Sequence, residues 1–444
     1  MKIYHAADIH LGRRRLDGRL PDTDLAEAFE YIARAAIADR ADVFLLAGDL
    51  FDRPQVEPPH LRQAQRILSL LKSAGIPVVA IEGNHDKAFV SSDALTWLDY
   101  LAQDELLYIL RPGFDATGVQ LSPWDKRTKR GAYVDLGGIR FVGAGYLGAA
   151  TPHKVRQIAE KLDAEHSHIL LLHAGPNYFV GEGGGFSKDD MRAIQERVRY
   201  LALGHIHKPM IHGAWACNPG SPENCDLREA EYDLAVSGIN ARGYAVVELD
   251  PSTPLWPPSI SVRSNPRRPC VQLELDCTHF GNKLKDGASA LETAALKLIK
   301  AAAPPTNAVV EIRLIGQINL DRIALDLETL GTGIQAAAAV AVVCINPAGI
   351  NLELASSGSM EIVEGISRED LERSALRQLV NEDPLWGLDG EQERAATLFY
   401  DLKEAVRHGR SANELTELIC ASSLIEKIRT ARPVSSPDPT ATQS

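Results

Sequence analysis

Five segments of the chain place carboxylate, amide or imidazole side chains directly after an apolar run. Lys2 to Ala7 leads into Asp8-Ile9-His10, Val43 to Ala47 into Gly48-Asp49-Leu50-Phe51-Asp52, and Pro77 to Ile81 into Glu82 and Gly83-Asn84-His85-Asp86. Ile169 to Leu172 leads into His173, and Tyr200 to Leu203 into Gly204-His205-Ile206-His207. Asp8, His10, Asp49, Asn84, His173, His205 and His207 offer oxygen and imidazole donors. That set suits Mn2+, Fe2+ or Zn2+ and lacks the thiolates of a structural zinc site. Seven donors are too many for one ion, so two are implied, with one carboxylate shared. Two ions about 3.5 to 4 Å apart can clamp the attacking and leaving oxygens of an in-line displacement at phosphorus, so phosphoester hydrolysis is the chemistry to expect. One histidine after a strand is ordinary, but five such ends in one chain point to a site. His5, His60, His153, His166 and His168 lack this context and read as core or surface residues.

The elements that position these side chains follow from periodicity. Runs of β-branched and aliphatic residues read as strands covered on both faces, and sites form beyond the carboxyl ends of such strands. Helices are expected over 24–41, 59–74, 92–107 and 152–164, with Leu25, Phe29 and Ile32, or Ile67, Leu68 and Leu71, at helical spacing. Strands of a second sheet are expected at 118–123, 131–136 and 139–143, and a closing strand at 243–249. Gly181 to Gly185 reads as a mobile loop near the site. Six prolines between Pro251 and Pro269 mark a linker that cannot hold a strand or helix interior. The expected organisation is a domain over 1–250, a linker over 251–269, a small α/β module over 270–358, a helical segment over 359–432 and a tail over 433–444. In the helical segment, Ser367-x-x-Asp370 and Ser411-x-x-Glu414 read as start signals, and Ala395, Leu398, Phe399, Leu402 and Val406 form an apolar stripe.

A length of 444 residues with 45% hydrophobic content allows two or three packed domains. A net charge of -12 excludes a protein coated in basic residues, so nucleic-acid contact has to come from local patches or a partner. The six cysteines lack zinc-site spacing and read as reduced, mostly buried thiols. No signal core precedes Asp8, and Ala336 to Ile345 is about half of the ~20 residues that a membrane span requires. A soluble cytoplasmic protein is expected.

The order Asp8-x-His10, Gly48-Asp49-x-x-Asp52, Gly83-Asn84-His85-Asp86, His173 and Gly204-His205-x-His207 resembles the calcineurin-like metallophosphoesterase superfamily. Within it, Ala7-Asp8-Ile9-His10-Leu11-Gly12, Gly48-Asp49-Leu50-Phe51-Asp52 and Asn218-Pro219-Gly220-Ser221-Pro222-Glu223 are similar to the SbcD nuclease family of double-strand-break repair. Arg53-Pro54 departs toward phosphatase sequences. The resemblance implies an α/β fold, a sandwich of two β-sheets flanked by helices, with a small capping domain that helps to seat DNA. It implies one ion on Asp8, His10, Asp49 and His207, another on Asp49, Asn84, His173 and His205, and Asp49 as the bridge. His85 would face the substrate phosphate. It further implies manganese as the metal, DNA ends and hairpins as substrates, a C-terminal segment that binds the coiled-coil base of an SMC-like ATPase of the SbcC type, and a homodimer.

A histidine that binds no metal beside the ions suits a catalytic acid or a stabiliser of developing charge, and Asp52 is expected to fix its tautomer. Arg13, Arg14, Arg15 and Arg19 follow the first site segment and are expected to contact DNA backbone. Lys126, Arg127, Lys129 and Arg130, and Arg263, Arg267 and Arg268, form further clusters that serve equally well as solvated surface. Two other functions fit parts of the pattern: a small-molecule phosphodiesterase or phosphatase, and a DNA-end-binding scaffold without turnover.

Overall fold

A computed structural model describes residues 1–87, 95–115, 118–180, 185–232, 241–250, 252, 257–278, 287–317, 327–351, 376–377, 392–407 and 412–421. The chain divides into two units, Met1–Leu354 and Ala355–Ser444.

In the first unit, strands β1 (Lys2–Ala6), β2 (Val43–Ala47), β3 (Val78–Ile81) and β4 (Tyr108–Ile109) run parallel. A short antiparallel hairpin follows, β5 (Gly113–Asp115) with β6 (Gly118–Gln120). A second sheet is built from β7 (Tyr133–Leu136), β8 (Ile139–Ala144), β9 (Ser167–Leu172), β10 (Tyr200–Leu203), β11 (Met210–His212) and β12 (Ala216–Asn218), in the order β11-β12-β10-β9-β8-β7. β13 (Gly243–Glu248) and β14 (Ser259–Ser264) extend the first sheet to the order β14-β13-β1-β2-β3-β4.

Alternation along each strand explains the layers. Ile3, Val43, Leu45, Val79 and Ile81 face Phe141, Ile169, Leu171 and Ala202 across the gap between the sheets. Tyr4, Phe44, Leu46 and Ala80 face outward onto Leu25, Phe29 and Ile32 of the helix Thr23–Ala38 and Ile67, Leu68 and Leu71 of the helix Pro58–Ser73. Val142, Leu170, Leu172 and Leu201 pack outward on Val155 and Ile158 of Thr151–Lys161 and on Met191 and Ile194 of Lys188–Gln195. The result is a mixed α/β sandwich, helices outside and two sheets inside, as expected.

Three details differ from the expectation. Residues 118–120 pair with 113–115 in a hairpin of their own, because Val119 is drawn into the helix layer of the second sheet rather than into its edge. The stretch expected as a linker holds β14, which pairs with β13 from Ser259 to Ser264. Its prolines lie before and after the paired residues, and an edge strand needs a partner on one side only. The helix expected over 92–107 covers Trp97–Gln103, where a capping box between Thr96 and Asp99 starts it.

Strands β15 (Cys270–Asp276), β16 (Val309–Gln317) and β17 (Val342–Asn351) form a parallel three-stranded sheet. Helices Gly287–Ala302 and Leu327–Ala338 cover it through Leu291, Ala295, Ile299 and Ile334. In the second unit the described helices are Gln392–Arg407 and Ala412–Ala421. The start signal at Ser367 and the tail lie outside the described residues, as do 181–184 of the glycine-rich loop. Among the described residues no helix is long and apolar enough to cross a membrane.

Candidate metal centre

All five sequence segments meet at the carboxyl ends of parallel strands, β1, β2 and β3 in one sheet and β9 and β10 in the other. The loops after β1 and β2 are zipped together by Asp8 N–H to Gly48 O (3.1 Å), His10 N–H to Asp49 O (3.0 Å) and Asp52 N–H to Leu11 O (3.0 Å). Asp8, His10, Asp49 and His205 adopt left-handed backbone, with φ of 55°, 53°, 52° and 85°. Non-glycine residues there cost about 1 kcal/mol or more each, and they persist where the surroundings fix them. Gly83 and Gly204 are required by close approach, since a Cβ would sit 1.9 Å from Asp49 Oδ1 and 2.1 Å from Ala47 O respectively.

The seven proposed donors form one cluster. His10 Nε2 lies 3.0 Å from His207 Nε2 and 3.7 Å from Asp49 Oδ2. His173 Nε2 lies 3.2 Å from Asp49 Oδ2 and 3.1 Å from Asn84 Oδ1, which is 3.0 Å from His205 Nδ1. Asp8, 0% exposed, accepts from the His205 N–H at 2.9 Å, while Asp49 Oδ1 accepts from the His85 N–H at 2.9 Å. Far sides of the rings are anchored: His173 Nδ1 donates to Ala47 O at 2.7 Å and His207 Nδ1 meets Glu229 Oε1 at 2.6 Å. Anchoring one ring nitrogen aims the other at a cation. So many lone pairs converging in a buried space repel one another unless a positive charge sits among them, so the donor set fits divalent metal ions.

The electrostatics match. Burial opposes ionisation of Asp49, but the facing His173, His10 and His85 hold its carboxyl below the usual range. Burial also opposes the His173 cation, yet Asp49 and Asp8 lift it to about 9. Burial, with His173 nearby, pushes His205 down to about 4. For His207, hydrogen bonds to Cys225 and Glu229 outweigh burial and lift it to about 11.

His85 sits beside this cluster, but its tether is not the expected one. Its Nδ1 meets the backbone carbonyl of Asp52 at 2.8 Å, whereas the Asp52 carboxylate lies 3.3 Å from His10 Nδ1 and 2.9 Å from Arg13 Nη1. Asp52 therefore holds His85 through its main chain and His10 through its side chain.

The arginine run is not one surface. Arg15 is 3% exposed and pairs with Asp24 and Glu223, so it points into the protein. Arg19 donates to Val343 O at 3.1 Å and Cys344 Sγ at 3.2 Å, tying the first loop to β17. Arg13 is half-buried on Asp52, and Arg14 is exposed at the mouth of an open cleft of about 790 Å3 that Asn84, His85, Arg53 and Glu311 also line. In the other clusters, Lys129 pairs with Glu105 at 2.8 Å, Arg263 with Asp39 at 3.0 Å and Arg268 with Asp24 at 2.6 Å. His5 is sealed between the sheets on Tyr200 Oη at 2.7 Å, and His60 pairs with Asp22 at 2.7 Å.

Sequence reasoning missed three contributors. Glu229 braces His207. Asp86 accepts from Phe51 N–H and Gly83 N–H, both at 2.9 Å, and so fastens the β2 loop to the β3 loop. Cys225 reaches the cluster from the loop after β12: its Sγ, one ring nitrogen of His10 and one of His207 lie within 4.8 Å of one another. Only Asp86 carried a signal, its place beside Asn84 and His85.

Residues 1–209 match the calcineurin-like phosphoesterase family. The chain is 31% identical over 234 residues to the DNA double-strand break repair protein Mre11 of Archaeoglobus fulgidus, covering 52% of this chain and 52% of that one. It is 28% identical over 292 residues to Mre11 of Aeropyrum pernix, covering 63% and 65%, and 27% identical over 272 residues to Mre11 of Methanopyrus kandleri, covering 56% and 54%. The matched part thus spans about half to two thirds of these curated relatives.

Proposed function

From a chain whose residues 1–209 form a calcineurin-like phosphoesterase domain, we propose a metal-dependent phosphodiesterase that cuts DNA at its ends, with two Mn2+ ions as its cofactor. The observation that carries this reading is the convergence of Asp8, His10, Asp49, Asn84, His173, His205 and His207 from five strand ends onto one buried cluster. Asp8, His10, Asp49 and His207 would hold one ion, and Asp49, Asn84, His173 and His205 the other. Bound there, the pair would supply Lewis acidity and lower the pKa of a water. His85 faces the cleft beside the cluster, where it can donate a proton to the leaving oxygen or stabilise charge developing on the phosphate. Asp49 positions it by accepting from its backbone N–H, and the Asp52 carbonyl sets which ring nitrogen is free.

The names of the relatives support DNA ends as the substrate, and an open cleft rimmed by Arg14 and Arg53 suits a polyanion. Residues 270–358 would cap that cleft, as Glu311 on its wall suggests. Residues 359–432 would dock a coiled coil of an SMC-like ATPase by packing their apolar stripes, in a cytoplasmic assembly containing two copies of this chain.

The test is hydrolysis by the purified chain with Mn2+ of linear duplex DNA against a small phosphodiester. Mn2+-dependent loss of duplex ends supports the proposal. Turnover of the small diester with intact DNA would replace it by a small-molecule phosphodiesterase, and DNA binding without turnover of either would leave a scaffold.

A further inference from the structure

We infer that Cys225 turns the His10–His207 side of the site into a position for thiophilic divalent cations, Zn2+ first among them, held by His10, His207 and the Cys225 thiolate. The inference rests on the metal-site reading above and adds to it a discrimination between ions. From the sequence alone the donor set contains no sulfur, because Cys225 stands in a separate segment. The chain reverses after β12 and returns it to the cluster.

The backbone of Cys225 is pinned on both sides. Its N–H donates to Glu229 Oε2 at 2.8 Å, and its carbonyl accepts from Arg13 Nε at 3.2 Å. Its Sγ makes a long contact with Glu223 O, 3.8 Å, and a hydrogen bond with the His207 ring, so it already faces one of the proposed ligands. A thiol so placed can turn to a cation without moving the chain. Zn2+ takes tetrahedral ligands at about 2.0 to 2.3 Å, which puts ligand atoms roughly 3.3 to 3.8 Å apart. The three atoms already lie within 4.8 Å, so closing onto an ion asks for a contraction of about 1 Å. Asp8 and Asp49 cluster with His10 in the same way and offer a fourth ligand.

On binding, the Cys225 S–H bond breaks, its electron pair goes to the cation, and the proton leaves to solvent. The sulfur then fills a coordination place and neutralises part of the charge that a phosphate or water would otherwise meet. Mn2+, which prefers oxygen and imidazole, gains little from the thiol, whereas Zn2+ gains much. Zn2+ is therefore expected to bind more tightly than Mn2+ and to inhibit Mn2+-supported hydrolysis.

Co2+ is the visible probe, because a thiolate ligand gives it a charge-transfer absorption in the near ultraviolet. The metal-free chain, titrated with Co2+, should show that band. Cys225→Ser should lose it, and His207→Ala, which keeps all six thiols, should lose it too. Calorimetry should show Zn2+ affinity falling on the order of tenfold or more in Cys225→Ser, with Mn2+ affinity within about twofold. A band that survives in Cys225→Ser, or two Co2+ bound by the unaltered chain without any band, overturns the inference and leaves the metal-site reading intact. A chain that binds neither Co2+ nor Mn2+ overturns both.

Discussion

If two ions bind as proposed, Glu229→Gln should weaken one of them and spare the other. The Glu229 carboxylate divides its oxygens: Oε1 meets His207 Nδ1 at 2.6 Å, while Oε2 accepts from the Cys225 N–H at 2.8 Å and the Ser221 hydroxyl at 3.3 Å, with Arg242 at 3.4 Å. A glutamine has one acceptor oxygen, and three donors pull it toward the Oε2 side. The amide NH2 then faces His207 Nδ1, which must accept, so the ring proton moves to Nε2 and blocks the atom aimed at the cation. Loss of a bracing carboxylate costs about 10- to 100-fold in metal affinity, or about 1.4 to 2.7 kcal/mol. Mn2+ titration by calorimetry should show the His207-dependent ion weakened by that factor and the ion on Asn84, His173 and His205 within about twofold. Thermal unfolding of the metal-free protein separates this from a packing defect, since Arg242 is 3% exposed and needs a partner. Two ions lost equally, or two ions unchanged, would refute the tautomer argument.

Further outcomes can be checked. His85→Gln should keep metal and duplex binding and lose about 10²- to 10⁴-fold in turnover. Asp52→Asn should leave His85 in place and instead weaken the ion held by His10; a loss of turnover with metal affinity unchanged would contradict the carbonyl tether. Arg15→Ala should cost about 3 kcal/mol in urea unfolding because it strips a buried partner from Asp24 and Glu223, while Arg14→Ala should leave stability within about 0.5 kcal/mol and flatten the salt dependence of duplex binding. Burial opposes the Asp24 anion, but Arg268 and Arg15 outweigh it and depress its pKa. Its contribution is therefore complete above the unfolded carboxylate value near about 3.9 and is lost as pH falls through the lower folded value, so the Arg15→Ala deficit should shrink in acid. Deleting residues 360–444 should preserve metal binding and small-diester hydrolysis and abolish co-purification with an SMC-like ATPase; full retention of the ATPase would refute the docking role.

The strand ends were legible because chemistry and secondary structure share a period there. An apolar run that stops at Asp8 or His173 states both that a strand ends and that a donor begins, and parallel pairing brings such ends to one edge without further information. Side-chain destinations inside the loops were not legible. Asp52 and His85 are neighbours, as read, but which atom of Asp52 meets the ring depends on the backbone at Asp52, whose N–H is held by Leu11 O while its carbonyl turns to His85 Nδ1. Arg13, Arg14 and Arg15 are consecutive, yet the 3-10 turn at Arg15–Gly18 sends Arg15 inward to Asp24 at the start of the next helix and to Glu223 from a distant segment. No local pattern records that. Strand β14 is hidden in the mean composition of 251–269, because the prolines of that stretch spare the six residues that pair.

Residues that brace the donors escaped for a different reason. Glu229 and Cys225 lie in the turn that follows β12, and Asn218 at the end of that strand fastens the turn to the His207 loop by donating to Ile206 O at 2.6 Å and Lys208 O at 2.8 Å. The Asn218-Pro219-Gly220-Ser221 segment is thus a clamp on the backbone either side of His207, with Ser221 N–H donating to His207 O at 3.1 Å. The donors of the other ion are held independently, His173 by Ala47 and the Asn84 turn by Asp86. These two sets of braces share no residue, so a change in one of them, such as Glu229→Gln, reaches the other half of the centre only through Asp49, which both ions would share, and Asp8, which accepts from the His205 N–H.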